Sequence, residues 1–324
     1  MISERQYYQF IYKRLIKKNM HLFADCDESN LVCIEMPKER FSWFYELLDC
    51  VEKNYGFDMQ KILLPNYNKF MLWQECFMQE CKPENIEIAM QFIVFCCLAD
   101  KILDSKRFST EQKTTVMNKL NIKHFTSNRE YISNEFQELD KLLNNIRRFM
   151  EKQGNKNAVE LKKIWDCMER AFQSEIYMAS VPLLQKEKSD QSRFGLLTDK
   201  SVQFEIAAFL LASLGENTAK TQKAALDVAN IFWQIDDLCD LTEDIKAKRR
   251  NSMLFLCVQE KNELTLAERV QKCVENAEKF ILMLEENIRL LKMDSNDAFY
   301  TYVVNEVWEW CSHVRTVALK GLQG

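Results

Sequence analysis

Turn-forming residues are scarce in this chain, and that scarcity constrains the fold more than any other feature. There are 6 Gly and 4 Pro in 324 residues. Sheets joined by tight turns, or strands alternating with helices, need such residues at most connections; long helices do not. Apolar residues recur at three- and four-residue spacing along nearly the whole chain, which is the helical period. The pattern predicts helices at Glu4–Lys18, Arg40–Tyr55, Asp58–Cys81, Pro83–Asp104, Ser109–Leu120, Asn128–Lys152, Ala158–Ser180, Lys200–Ser213, Thr218–Lys248, Leu264–Lys292 and Asn296–Leu319. Pro83 suits a first helical position, Ser109 a cap, and Gly154 and Gly215 helix ends. The polar stretch Gln185–Arg193 reads as a surface loop. The expected fold is all-α: one large helical bundle over residues 1–324, with a helical N-terminal extension over 1–80 as the variant.

Composition removes several classes of function. Hydrophobic residues are 47% of the chain, enough for a sizeable core. A formal net charge of −4 offers no basic field for nucleic acid. Met1–Asn19 is charged throughout and does not read as a signal peptide, and no apolar run is long enough to span a bilayer. The 12 Cys are scattered, without CxxC, and only His21, His124 and His313 could join them, so zinc spacing is missing. Such a chain reads as cytoplasmic, with reduced thiols. Any metal would have to be held by carboxylates. Oligomeric state stays open, a homodimer included.

The most informative segment is Asn230–Ser252, NIFWQIDDLCDLTEDIKAKRRNS. Asp236, Asp240 and Asp244 are four residues apart, and Asp237 is three from Asp240 and seven from Asp244. On a helix all four share one face. Like charges so spaced repel by about 0.2–0.5 kcal/mol per pair. They also approach a helix C-terminus, where the macrodipole disfavours anions. Bound cations reverse both terms, and Mg²⁺ takes oxygen ligands from one or two carboxylates plus substrate phosphates. The alternative is a solvated acidic face neutralised by Lys246, Lys248, Arg249 and Arg250. Phe232 and Trp233 argue against it, because they put apolar surface one turn upstream.

A second acidic element closes Pro83–Asp104, where Asp100 and Asp104 follow an apolar stretch containing Phe92 and Phe95. Alone, two carboxylates at a helix end are ordinary surface. Paired with the first element, they predict a central apolar cavity with a carboxylate-lined mouth, shaped for a long apolar substrate carrying a diphosphate.

QIDDLCDLTED resembles the second aspartate-rich motif of class I isoprenoid synthases, and DLTEDIKAKR resembles the acidic segment of squalene and phytoene synthases. ADKILDS is similar to the first aspartate-rich motif of the same superfamily, in its single-Asp form. The resemblance covers Pro83–Gln259 and extends faintly to WEWCSHVR, where Arg315 is followed by Thr316 rather than the tyrosine of some microbial cyclases. It implies an isoprenoid synthase bundle acting on a prenyl diphosphate, with three Mg²⁺ held by Asp100, Asp104, Asp236, Asp237, Asp240 and Asp244. It further implies that Lys248, Arg249, Arg250 and Arg315 bind the diphosphate. Phe92, Phe95, Phe232, Trp233, Trp308 and Trp310 would line the pocket and steady a carbocation, although aromatics at helical spacing more often simply pack.

Three functions follow as expectations. The first is a magnesium-dependent terpene synthase, a lyase that ionises a prenyl diphosphate before cyclisation or elimination. The second is a prenyltransferase that couples isoprenoid units; DSKRFST lacks the Arg-Arg-Gly that follows the first motif in elongating enzymes, which favours head-to-head coupling over elongation. The third is a helical subunit without catalysis. Glu175, Tyr177, Arg170, Lys106 and Arg107 are minor candidates for diphosphate or metal contact.

Overall fold

The computed structural model describes residues 4–23, 34, 36–39, 41–77, 82–121, 135–154, 157–180, 191–247, 251–253 and 266–320; at 4, 191–194, 266–270 and 274 only the backbone is described. These residues form twelve α-helices and no strand. They are α1 (Glu4–Ile11), followed by a π-helical turn (Tyr12–Lys17), then α2 (Ser42–Tyr55), α3 (Gln60–Phe77), α4 (Pro83–Asp104), α5 (Thr110–Lys119), α6 (Gln137–Gln153), α7 (Ala158–Ser180), α8 (Gln191–Ala212), α9 (Ala219–Ala247), α10 (Leu266–Asp294), α11 (Asp297–Trp310) and α12 (Ser312–Lys320). The protein is all-α, as turn scarcity and helical periodicity require. Among the described residues no helix is long and apolar enough to cross a membrane.

Local chemistry explains most of the boundaries. Pro83 occupies the first turn of α4. Ser109 caps α5 through a full capping box with Gln112. Thr218 and Thr221 cap α9 reciprocally: the hydroxyl of Thr221 accepts the Thr218 N–H at 2.8 Å and that of Thr218 accepts the Thr221 N–H at 3.2 Å. Gly56 ends α2 at φ 68°, and its N–H donates to the Glu52 carbonyl at 2.7 Å.

Four boundaries differ from expectation. Helix α8 begins at Gln191, inside the segment read as a loop, because its polar first turns carry no apolar period. The single expected C-terminal helix is two, broken at Cys311, whose backbone (φ −76°, ψ 0°) leaves the α-helical path. The N-terminal helix passes into a π-helical turn at Tyr12. Helix α6 starts at Gln137, after Phe136 at φ 57°, a left-handed conformation that no sequence signal marks for a phenylalanine.

The chain divides into two compact units. One comprises Met1–Leu31, Ser180–Val202 and Leu226–Gly324; the other comprises Val32–Ala179 and Gln203–Ala225. In the second unit α4 is the central helix and packs on α3, α5 and α6. It is apolar nearly all round, with Ile93, Phe95, Leu98 and Ile102 among its buried residues, which suits a helix enclosed by others. Two buried ion pairs cross this unit, Lys69 with Glu205 at 2.8 Å and Lys119 with Asp140. Burying either partner alone would be costly, so each ion needs the other. The turn between α8 and α9 is held by Glu160 of α7, which accepts from the Gly215 N–H at 2.9 Å and from Asn217 Nδ2 at 2.6 Å.

The first unit is built around the C-terminal part of α9. The hydroxyl of Tyr7 in α1 donates to the Leu238 carbonyl at 2.8 Å. From α10, Asn287 Nδ2 donates to Gln234 Oε1 at 2.9 Å. Arg14 pairs with Glu278, and Asn19 Nδ2 reaches Glu285 Oε1 at 2.6 Å. The C-terminal part of α9 is thereby bonded to α1 and α10.

Candidate functional site: the acidic face of α9

Asp236, Asp237, Asp240 and Asp244 all lie on α9 within the first unit. The helix is long because its sequence is rich in Ala and Leu and free of Gly and Pro from Ala219 to Ala247. Phe232 and Trp233 are buried, with Phe232 5.6 Å from the Trp310 ring and Trp233 edge-on to Phe280 at 5.8 Å. The carboxylates follow over about three turns from this apolar body, Asp236 one turn on.

Their electrostatics follow from that setting. Burial pushes the Asp236 carboxyl well above the usual carboxylate range; Asp237, Asp240 and Asp244 push it further, and Lys200 of α8 opposes them. Asp237 rises from 3.8 to about 7, mainly through burial, with hydrogen bonds from Ser252 and Trp233 restraining the rise and the charge of Asp244 adding to it. The face therefore does not carry four full negative charges at neutral pH.

Asp237 and Asp244 are also engaged by protein donors. Asp237 Oδ2 accepts from the Trp233 indole N–H at 2.9 Å, the Ser252 N–H at 3.1 Å and the Ser252 hydroxyl. Asp244 Oδ2 accepts from Asn251 Nδ2 at 3.0 Å. Asn251 and Ser252 were not singled out from the sequence. Ser252 lies fifteen residues from Asp237 and Asn251 seven from Asp244, both past the last residue of α9, and the only signal was an Asn-Ser pair closing the motif.

The other expected site residues fall elsewhere. Asp100, half-buried, and Asp104, exposed, close α4 in the second unit. The charge of Asp100 adds to burial in raising the Cys96 and Cys97 thiols, Cys97 to about 12. Phe92 and Phe95, fully buried, both pack on Phe172 of α7, at 6.2 and 5.9 Å. Trp308 and Arg315 are in the first unit, where the guanidinium lies 3.6 Å from the Trp308 ring centroid and Nη1 donates to the Trp308 carbonyl at 2.7 Å. Trp308 also packs on Phe23 at 5.2 Å. Glu175 is buried on α7, where Tyr177 is half-buried and Arg170 exposed. Arg107 donates to the Tyr55 carbonyl at 2.8 Å, and Lys106 is exposed. Lys248, Arg249 and Arg250 lie outside the described residues.

Among the described residues, no group of three or more carboxylates, thiols or imidazoles is arranged to hold a metal ion. The eight cysteines described are free thiols. No family model and no curated protein matches the chain.

Proposed function

We propose that this chain is a magnesium-dependent enzyme of the class I isoprenoid synthase kind, ionising a prenyl diphosphate before cyclisation or elimination. The observation that carries the reading is Asp236: a carboxyl raised by burial and by three neighbouring carboxylates, one turn from the buried Phe232 and Trp233. A fold selected for stability alone would discharge that face, whereas a hard cation would relieve it.

The donor set fits Mg²⁺ bound jointly with a diphosphate, since Mg²⁺ keeps waters and takes few protein oxygens. The residues do not form a closed protein cage for a resident ion. Asp236 and Asp240 are the principal ligands in this reading. When bound, the metal neutralises charge on the departing diphosphate. The chain's own part is to present ionised carboxylates, to keep apolar surface beside them and to exclude water. Lys248, Arg249, Arg250 and Arg315 are the cations proposed for the diphosphate. The free thiols support a reducing, cytoplasmic setting.

Incubation with prenyl diphosphates of several lengths and Mg²⁺, followed by assay of released diphosphate and of extracted hydrocarbons and alcohols, tests the reading. Release from a single substrate supports ionisation with cyclisation or elimination. Release only with a second isoprenoid present moves the assignment to a prenyltransferase. No release from any of them removes the enzymatic reading and leaves a helical subunit.

A further inference from the structure

Helices α2 and α6 enclose a cleft of about 350 Å³ within the second unit. That volume falls in the range of small-ligand sites, roughly 300–1,000 Å³. At the end of α2, Asn54 Nδ2 donates to Glu138 Oε1 at 2.9 Å, and the Tyr55 hydroxyl donates to the same carboxylate. Glu138 lies in the first turn of α6, so the two helices run antiparallel along the cleft. Counted back from that tie at equal rise per residue, Trp43 is level with Arg148 and Cys50 with Lys141.

The two walls differ in chemistry. From α6 come Lys141, Asn144, Asn145 and Arg148, spaced as one helix face. All four carry N–H donors and none carries a negative charge. The acids of α6 are engaged elsewhere: Glu138 with α2, Asp140 with Lys119, and Glu151 with Arg147 at 3.6 Å. From α2 come Trp43, Glu46, Leu47 and Cys50. Leu47 is buried. Trp43 is fixed by its indole N–H, which donates to Glu87 of α4 at 3.0 Å, and by Phe44 at 5.5 Å. A donor-only face set across from an indole and a leucine is not the mixed-charge pattern of a solvated surface.

We propose that this cleft binds a nucleoside monophosphate, its base between the Trp43 ring and the Arg148 guanidinium and its phosphate at Lys141 and Asn144, beside Cys50. A guanidinium plane stacks on flat rings, whereas an ammonium takes phosphate as a point charge. Glu46, level with the middle of the α6 face, accepts from the sugar hydroxyls. Ring, hydroxyls and phosphate are thus met in order over about 10 Å of helix. Two cations against one carboxylate give the lining a net positive charge, which draws an anion. The site uses none of the residues of the reaction proposed above and stands without it.

The full chain tests this through Cys50, whose thiol is exposed at the phosphate end. Alkylation by iodoacetamide is followed at that residue by peptide mass spectrometry, with adenosine monophosphate as the probe and its Kd measured by calorimetry. At about ten times Kd, alkylation of Cys50 is expected to slow roughly tenfold by mass action, while Cys76 and Cys167 keep their rates. Lys141→Met and Arg148→Met, both at exposed positions, are expected to leave Tm unchanged and each to raise Kd roughly tenfold. Arg148→Lys keeps the charge but loses the plane, and is expected to weaken the probe as much as Arg148→Met. Unchanged alkylation of Cys50 in millimolar probe overturns the proposal, as does protection that Lys141→Met leaves intact. If inorganic phosphate protects Cys50 as well as the nucleotide does, or if Arg148→Lys binds like the wild-type chain, the cleft recognises no base and the assignment is wrong.

Discussion

At the scale of single residues, burial outweighs hydrogen bonding on the acidic face. Spacing alone says that neutralising any of the four carboxylates should relieve like-charge strain. For Asp237 burial is the larger effect: it raises the carboxyl to about 7, and the hydrogen bonds from Ser252 and Trp233 restrain that rise without cancelling it. Trp233 shares in this. Its indole N–H bridges Asp237 and Ser252, so Trp233→Phe, which keeps a ring against Phe280, should still cost about 1–3 kcal/mol for the lost donor; urea denaturation measures it. The sequence marks Trp233 as a candidate ring to face a cation, and its position as a donor is not legible there, since Ser252 is nineteen residues away. The pH dependence follows from Asp237 and Asp236 together. The folded-state value of Asp237 lies near 7, above its unfolded 3.8. Its contribution is therefore fully present below pH 3.8 and is lost as pH rises through about 7. Asp236 is shifted the same way. In metal-free buffer, Tm should fall between pH 5 and pH 7.5, and Asp236→Asn should flatten that slope. A slope of the opposite sign would show that the buried carboxyls are not raised.

At the scale of elements, caps and breaks do what their residue types require, and most were readable. Gly56, not singled out in the sequence, ends α2 just after the Tyr55 at which the helical period predicts its end. Its left-handed backbone ends α2, and an added Cβ would lie 2.9 Å from Nη1 of Arg107, which itself bonds the Tyr55 carbonyl. Gly56→Ala should cost roughly 1–2 kcal/mol from backbone conformation alone, and thermal melting measures it. A loss near zero would mean that α2 can end another way. The break at Cys311 was not readable, because no Gly or Pro marks it. There Arg315 folds back on Trp308, joining the two short helices through one stacked cation and one carbonyl bond. Phe136 entering α6 at positive φ is similarly silent in sequence, because packing against Tyr55 and Phe108 stabilises a backbone that its residue type disfavours.

At the scale of the whole molecule, the acidic motifs belong to different compact units, Asp100 and Asp104 to one and the α9 carboxylates to the other. Under the proposed function each motif is tested by its own substitution. Asp100→Asn and Asp236→Asn should therefore each reduce diphosphate release by two orders of magnitude or more while Tm holds or rises. Wild-type turnover from Asp100→Asn would remove α4 from the chemistry.

Helical class, the starts of α4 and α9, the cap of α5 and the shared face of four aspartates were all determined by the sequence itself. Each depends on residue type and on spacings within a turn or two, where chain geometry leaves little choice. Tertiary structure decided which carboxylates meet Asn251 and Ser252, how far Asp236 and Asp237 are raised, and that Phe92 and Phe95 pack on Phe172. Those outcomes depend on burial and on partners many residues away. Desolvation and directional hydrogen bonding come into play only once the helices have packed.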